Sequence, residues 1–522
     1  MAIVGVTPPI ELVSRPRLFE ALASALDVRF EARDTGELRD LAALITFDDP
    51  SATDVSTIPT LALESVRLAA GRTSVSFAAT GAPHRAFDGR KFVEEHEIVG
   101  GLTARPGEQV ICQSTKPLWV SAEGPGSLSF RAACAPVEID AGESLRDHLR
   151  PPRFISHLPL VHFLGELTRD GGFRAPALRA AFLFDDPNLH WRSYGFVDYR
   201  AIAASAEEAG YHVAFATIPL DAWLVSRQAA RVFRRHSQQL SLLFHGNNHF
   251  HEELAQPSSV HEGRAIAAQA LRRIALLERR AGVRVARVMA PPHGACSEPM
   301  MTALHETGFE AICIGRSRPW LGRTKEHLLE EYDVVEFVGG LPAIPRTPLS
   351  HPWEELCFHA VLGQPLILYG HHDALAAGNA VLTRAAAFIN SFGSVRWLPL
   401  DAIARTNASV RRDGTTAVVR PNGRIVELEL DDWVEDVRVL VPRQPGWNPR
   451  RIRFQAPDRA SEEVEPAAHW QARGATKVSI EIVFDAVEGE AGRPSRRRTA
   501  VAAARRLATE TRDRATPLVR RH

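Results

Sequence analysis

The chain has 522 residues, 45% of them hydrophobic and 24% charged, and its 62 Lys plus Arg balance 62 Asp plus Glu. That length implies two to four structural units, and the composition is globular rather than disordered. A formal charge of zero excludes a general pull toward nucleic acid or acidic lipid, and no apolar run approaches the ~18 residues of a membrane span. Five widely spaced cysteines without a CxxC pair argue against a disulfide framework or a cysteine zinc site and fit a reducing compartment. The opening MAIVGVTPPIELVSRPR lacks a basic start followed by an apolar core, so no secretory signal is visible and a cytoplasmic address is expected.

Residues 1–150 read as a mixed α/β unit. RLFEALASALDVRFEARD suggests a helix running into a strand, and LAALITFDD a buried strand ending in acids. Thr, Ser and Val alternation after residue 72 suggests short strands, and Pro151-Pro152 a boundary. From about 175 to 405 strand and helix alternate. ALRAAFLF leads to Asp185, a helix follows over VDYRAIAASAEEAG, and LSLLF ends at His245. Ile266, Ala270, Ile274 and Leu277 form one helical face, VRVARVMA is a strand, and PLILYG another. Such alternation implies a parallel sheet with helices outside, open or closed into a barrel.

Beyond 405, Asp413-Gly414 and Asn422-Gly423 between alternating stretches are hairpin signals, so a small β unit is expected at 407–487. The basic tail, 488–522, holds ten Arg from Arg493 onward against Glu510 and Asp513. It is read as a solvated helical or disordered end, with a basic docking arm as the alternative.

Four strings carry chemistry. Leu183-Phe184-Asp185-Asp186-Pro187 ends a strand with two carboxylates, whose side chains point to opposite sides and can take separate roles. Taken alone the string is weak, because Thr46-Phe47-Asp48-Asp49-Pro50 nearly repeats it. Phe244-His245-Gly246-Asn247-Asn248-His249 places two imidazoles four apart, expected on one face of a helical turn where they share a metal. Met289-Ala290-Pro291-Pro292-His293-Gly294 is a rigid turn after a strand. Leu368-Tyr369-Gly370-His371-His372-Asp373 delivers two histidines and an acid from an apolar strand.

Their order, each string at the C-terminal end of a strand, resembles the NodB-type polysaccharide deacetylases (carbohydrate esterase family 4). Asp186 lies 59 positions before His245 and His249 lies 42 before Pro291, and Trp397-Leu398-Pro399-Leu400-Asp401 resembles the close of such domains. The decoy acids at 48–49 have only His84 and His96 downstream at comparable distance, and they are read as a loop of the N-terminal unit.

The resemblance covers residues 153–405. It implies a distorted (β/α)7-type barrel between the N-terminal α/β unit and the C-terminal β unit. It also implies one divalent ion, zinc first, on Asp186, His245 and His249, with Asp185 as general base and His371 or His372 as the acid. Three protein ligands leave the fourth position open for water, as catalytic zinc requires. The expected reaction is metal-dependent removal of an N-acyl or O-acyl group from a sugar or small amide. The alternative is a non-catalytic barrel that binds carbohydrate or a partner. Pro292, His293 and Gly294 are expected at the substrate, with His293 in the slot of the family Tyr, and Trp191 or Tyr194 lining the pocket. The family Arg that pairs with the base is replaced by Ala290, which leaves Asp185 in need of another partner.

Overall fold

The computed structural model describes residues 2–34, 39–49, 57–124, 127–134, 136–140, 143, 145–169, 171–315, 336–350, 352–441, 449–484 and 496–519. Pro50 of the decoy string, the end of the expected β unit at 485–487, and residues 488–495 and 520–522 of the tail lie outside these.

The N-terminal unit is one nine-stranded sheet. Parallel strands Val28–Ala32, Ala2–Thr7, Ala43–Phe47 and Thr60–Glu64 lie side by side, and an antiparallel set begins beyond Ser127–Ala133. Its core does not end at the barrel. Phe87 and Phe92 pack edge-on against Phe358 of a barrel helix, with centroids 5.0 and 5.3 Å apart, so the two units share one apolar interior.

The barrel strands are β1 (Leu178–Asp185), β2 (Val213–Thr217), β3 (Leu240–His245), β4 (Val285–Ala290), β5 (Ala311–Ile314), β6 (Leu341–Pro345) and β7 (Leu366–Gly370). Consecutive strands pair in parallel from β1 to β6. β7 pairs with β1, and Thr347–Pro348, the continuation of β6, pairs with β7. The ring of seven therefore closes through a strand whose two halves serve different neighbours. Arg346 sits at the break between the halves. The fold is the expected (β/α)7-type barrel.

Strands buried on both sides read as near-continuous apolar runs, yet the two sides differ. Ala181, Leu183, Ala214, Ala216, Val288 and Ala311 belong to the inner cluster, while Phe182, Phe184, Phe215 and Phe244 face the surrounding helices. Small residues inside are what a narrow seven-stranded ring admits.

The helices start where the sequence supplies caps. Asp198 accepts the N–H groups of Arg200 and Ala201 to open α1 (Tyr199–Ala209), while Ser226, Ser259 and Ser297 cap α2 (Arg227–Arg235), α3 (Val260–Ala281) and α4 (Glu298–Glu306). Farther on come α5 (Glu355–Val361), α6 (Ala380–Asn390) and α7 (Leu400–Arg405).

The C-terminal unit is two four-stranded sheets over a core in which Trp470 stacks on Phe454. Asp413-Gly414 makes the expected hairpin, with Gly414 at φ 61°. Asn422-Gly423 does not. The strand after it, Ile425–Glu429, pairs with Lys477–Val483 of the other sheet, so this dipeptide turns a corner between sheets.

The tail is also not a solvated end. Helix α8 (Arg496–Val519) packs over the C-terminal ends of the barrel strands of its own chain. Arg506, Glu510 and Asp513 are buried at 4–7% exposure, whereas Val501 and Leu507 face solvent.

Candidate metal centre

β1 carries Asp185 to its last position, and the chain then turns at Asp186 with φ 81°. His245 ends β3, and its Nδ1 lies 2.9 Å from the Ala290 carbonyl at the end of β4. A carbonyl only accepts, so Nδ1 carries the hydrogen and Nε2 is left with its lone pair. That nitrogen is 3.6 Å from Asp186 Oδ1, and His249 Nε2 is 3.2 Å from the same oxygen.

The HxxxH segment is not the helical turn its spacing suggests. Gly246 (φ 59°) and His249 (φ 55°) bend it into a loop. The Glu253 carboxylate gathers that loop, accepting the backbone N–H groups of Asn247, Asn248 and His249 at 2.6, 2.8 and 2.9 Å. Arg273 fixes it from the other side through Asn247 and Asn248. A Cβ at Gly246 would lie 2.5 Å from both Glu253 Oε1 and Pro292 Cγ, so only glycine passes there.

The three candidate ligand atoms lie within 4.8 Å of one another. Bonds of ~2.0–2.2 Å to a tetrahedral ion put ligand atoms about 3.4 Å apart, close to the two separations above. Asp186 Oδ1 is buried without a hydrogen-bond partner. A buried carboxylate oxygen is costly to leave unsatisfied, and a cation between it and the two imidazoles removes that cost. Burial alone would push Asp186 up, but His249 and then His245 hold its carboxyl down at about 2. Burial and His245 bring His249 down to about 4. A carboxylate and neutral imidazoles are the forms that bind metal.

Asp185 has the partner that Ala290 cannot give. Arg346, from the break in β6, donates to Asp185 Oδ1 at 2.9 Å and lies 4.1 Å from the Tyr369 ring centroid. Both members of the pair are buried. Burial opposes the Asp185 charge, yet Arg346 and His245 hold the carboxyl below its usual range.

A cavity of about 450 Å³ opens on this cluster, a volume in the small-ligand range. His371 lines it, with Nε2 3.9 Å from Asp186 Oδ2. His372 turns away, stacked on Phe196 with Nε2 3.7 Å from Asp513. Gly195 allows this, since a Cβ there would lie 2.4 Å from His372 Nδ1. His293 (φ 56°) and Gly294 line the cavity, and Pro292 packs beneath Gly246. Trp191 is 60% exposed and Tyr194 is buried with its hydroxyl donated to Asp513; neither is part of the cavity wall.

The remaining wall comes from α8, with Arg505, Arg506, Thr509 and Arg512. Arg506 donates to Asp221 Oδ2 and the Asp186 carbonyl, both at 2.9 Å, and to the Tyr194 hydroxyl at 3.2 Å. Glu510 accepts from His190, and Arg514 reaches the Asn188 side chain and the Ser193 carbonyl. Sequence reasoning missed Arg346, Glu253 and this helix. The one available signal was Glu510 and Asp513 within an otherwise basic tail. A larger cleft of about 700 Å³ between the barrel and the β unit bears none of these groups.

No family model and no curated protein matches the chain. Among solved structures it is similar to a Mycobacterium smegmatis protein provisionally described as a polysaccharide deacetylase, with 15% identity, 45% of this chain and 91% of that one covered, and a TM-score of 0.33. It is similar also to a family 4 carbohydrate esterase from Streptomyces lividans (12%, 42% and 88%, 0.24) and to an aldolase from Escherichia coli K12 (13%, 42% and 92%, 0.25). At these scores the likeness, which spans two chemistries, carries nothing about activity.

Proposed function

We propose that this chain is a metal-dependent hydrolase that removes an N-acyl or O-acyl group from a sugar or small amide, a divergent relative of the NodB-type deacetylases. The observation that carries this reading is the partnerless, buried Asp186 Oδ1 facing the Nε2 atoms of His245 and His249 at 3.6 and 3.2 Å.

Asp186, His245 and His249 would hold one divalent ion, zinc by donor set. When bound, such an ion polarises an acyl carbonyl and lowers the pKa of a water. Asp185, kept ionised by Arg346, accepts the proton of the attacking water. His371 rather than His372 gives a proton to the departing amine or alcohol, because His371 alone of the two lines the cavity. The backbone N–H of His293 is assigned to the developing oxyanion, a role indifferent to the side chain. The binding-module alternative drew on Ala290 in place of the family Arg, and Arg346 removes that ground. Among the described residues no helix is long and apolar enough to cross a membrane, and the cytoplasmic address stays part of the proposal.

The test is elemental mass spectrometry of purified protein beside His249→Ala. About one divalent ion per chain, lost in the variant, supports the site and should accompany chelator-sensitive deacylation of an acetamido-sugar panel. A wild type that takes up no metal after reconstitution overturns it.

A further inference from the structure

Helix α8 does more than cover the barrel, because it decides the charge of the cavity wall. Four guanidiniums line the cavity, Arg346, Arg505, Arg506 and Arg512, against two carboxylates, Asp185 and Asp186. Two of the four are neutralised in place. Arg346 is paired with Asp185 and Arg506 with Asp221, at 2.9 Å each. Arg512 donates from Nε and Nη2 to Asp513 Oδ1 at 3.0 and 2.8 Å, but that carboxylate also accepts from Tyr194 and faces His372, and the Arg512 side chain is 73% exposed. Among the described residues Arg505 reaches only His251 Nε2 and the Phe250 ring and has no carboxylate partner. Asp186 is the remaining negative charge, and its imidazole neighbours assign it to a cation. The wall thus keeps surplus positive charge, on one helix and beside the reacting position, where low-dielectric walls focus the field.

We propose, resting on the hydrolase reading, that the substrate is a small acylated sugar or amide bearing a phosphate or carboxylate, and that Arg505 and Arg512 grip this anion. Phosphate and carboxylate match the planar guanidinium fork, and Thr509 between the two arginines adds a hydroxyl donor. Arg506 takes no part in the grip. Its donors are spent on Asp221, Tyr194 and the Asp186 carbonyl, so it fastens the helix in register, whereas Arg505 has no carboxylate partner among the described residues and Arg512 keeps Nη1 beyond its two bonds to Asp513. A neutral polymer would leave Arg505 without an anionic partner and Arg512 with Asp513 alone.

The experiment compares N-acetylglucosamine, N-acetylglucosamine 6-phosphate and N-acetylmuramic acid on the metal-loaded full chain. Both kcat/KM and calorimetric binding are read, in wild type and in Arg505→Glu/Arg512→Glu. Charge-assisted hydrogen bonds of this kind correspond to a preference of about tenfold or more. The wild type is expected to favour at least one anionic sugar over the neutral one by that factor, in KM and in binding. The doubly reversed variant is expected to lose the preference. Which sugar gains identifies phosphate or carboxylate as the group gripped.

Equal handling of all three by the wild type, or a preference that survives in the variant, overturns the proposal while leaving the hydrolase standing. Charge-dependent binding with no acyl release from any substrate overturns the hydrolase and keeps the anion grip. Rising salt should weaken the anionic sugar's binding more than the neutral sugar's, a check that needs no variant.

Discussion

Phe47-Asp48-Asp49 and Phe184-Asp185-Asp186 are the same three residues at the end of buried parallel strands, yet only the second meets the histidines of the candidate metal centre. Both strings put an aspartate in the left-handed region, Asp48 at φ 54° and Asp186 at φ 81°. The difference lies in what meets them. The Asp48 carboxylate is satisfied locally, by the Ser65 backbone N–H at 2.7 Å and hydroxyl at 2.9 Å, and serves as a clasp between neighbouring strands. Among the described residues Asp186 Oδ1 finds no hydrogen-bond donor, only the imidazoles of His245 and His249, while Asp185 finds a buried arginine 161 positions away. A carboxylate answered by its neighbours holds structure together. One left unanswered beside lone pairs is available for chemistry.

The contrast can be broken by mutation, beginning with the largest effect. Asp185→Asn should lower turnover by about 10²–10⁴-fold while metal content stays at the wild-type level; an unaltered rate removes Asp185 from the reaction. Arg346→Met should cost about 3–5 kcal/mol of stability in chemical denaturation, because Asp185 is left as an uncompensated buried charge. The double variant Arg346→Met/Asp185→Asn should recover much of that loss, and a failure to recover would show that Arg346 acts mainly through Tyr369.

A third prediction concerns the helix. His190 donates from Nδ1 to Glu510 and from Nε2 to the Asp221 carbonyl, so it is an imidazolium. Burial opposes this charge, but Glu510 and the carbonyl win and its pKa is raised above 6.5. Docking of α8 is therefore strongest below about 6.5 and weakens, by about 1–2 kcal/mol, as pH rises through the raised value. Limited proteolysis of α8 should accelerate with pH in wild type relative to His190→Gln, and identical profiles would contradict the pairing. The smallest effect belongs to the decoy: Asp48→Asn keeps the turn and should change stability by less than about 1 kcal/mol without touching deacylation.

How much of this was legible follows the same division. Apolar strands alternating with amphipathic helices announced a parallel sheet with helices outside, because both signals are local, and the family resemblance pointed to its closure into a barrel. Asp186, His245, His249 and the pair His371-His372 were legible from their order at strand ends and the resemblance it carries, and the structure brings the first three and His371, but not His372, to one cavity. Arg346 was hidden since its pairing with Asp185 exists only once β6 closes the ring. Asn422-Gly423 misled because a hairpin signal says that the chain turns, not which sheet it enters next. Helix α8 misled more deeply. Amphipathic reasoning assigns its charged face to solvent, whereas the surface it meets consists of Asp221, His190, Asn188 and a carbonyl end, so charge is buried and leucine exposed.

Three residues at the centre, Asp186, His249 and His293, hold left-handed backbone that L side chains adopt only at a cost of about 1–3 kcal/mol each. Glycine would relieve each of them. A population of variants sorted only for resistance to heat should accordingly enrich glycine at 186 and 249 and produce hardier proteins with no metal centre. The shape of these turns puts durability and activity in competition at the same positions.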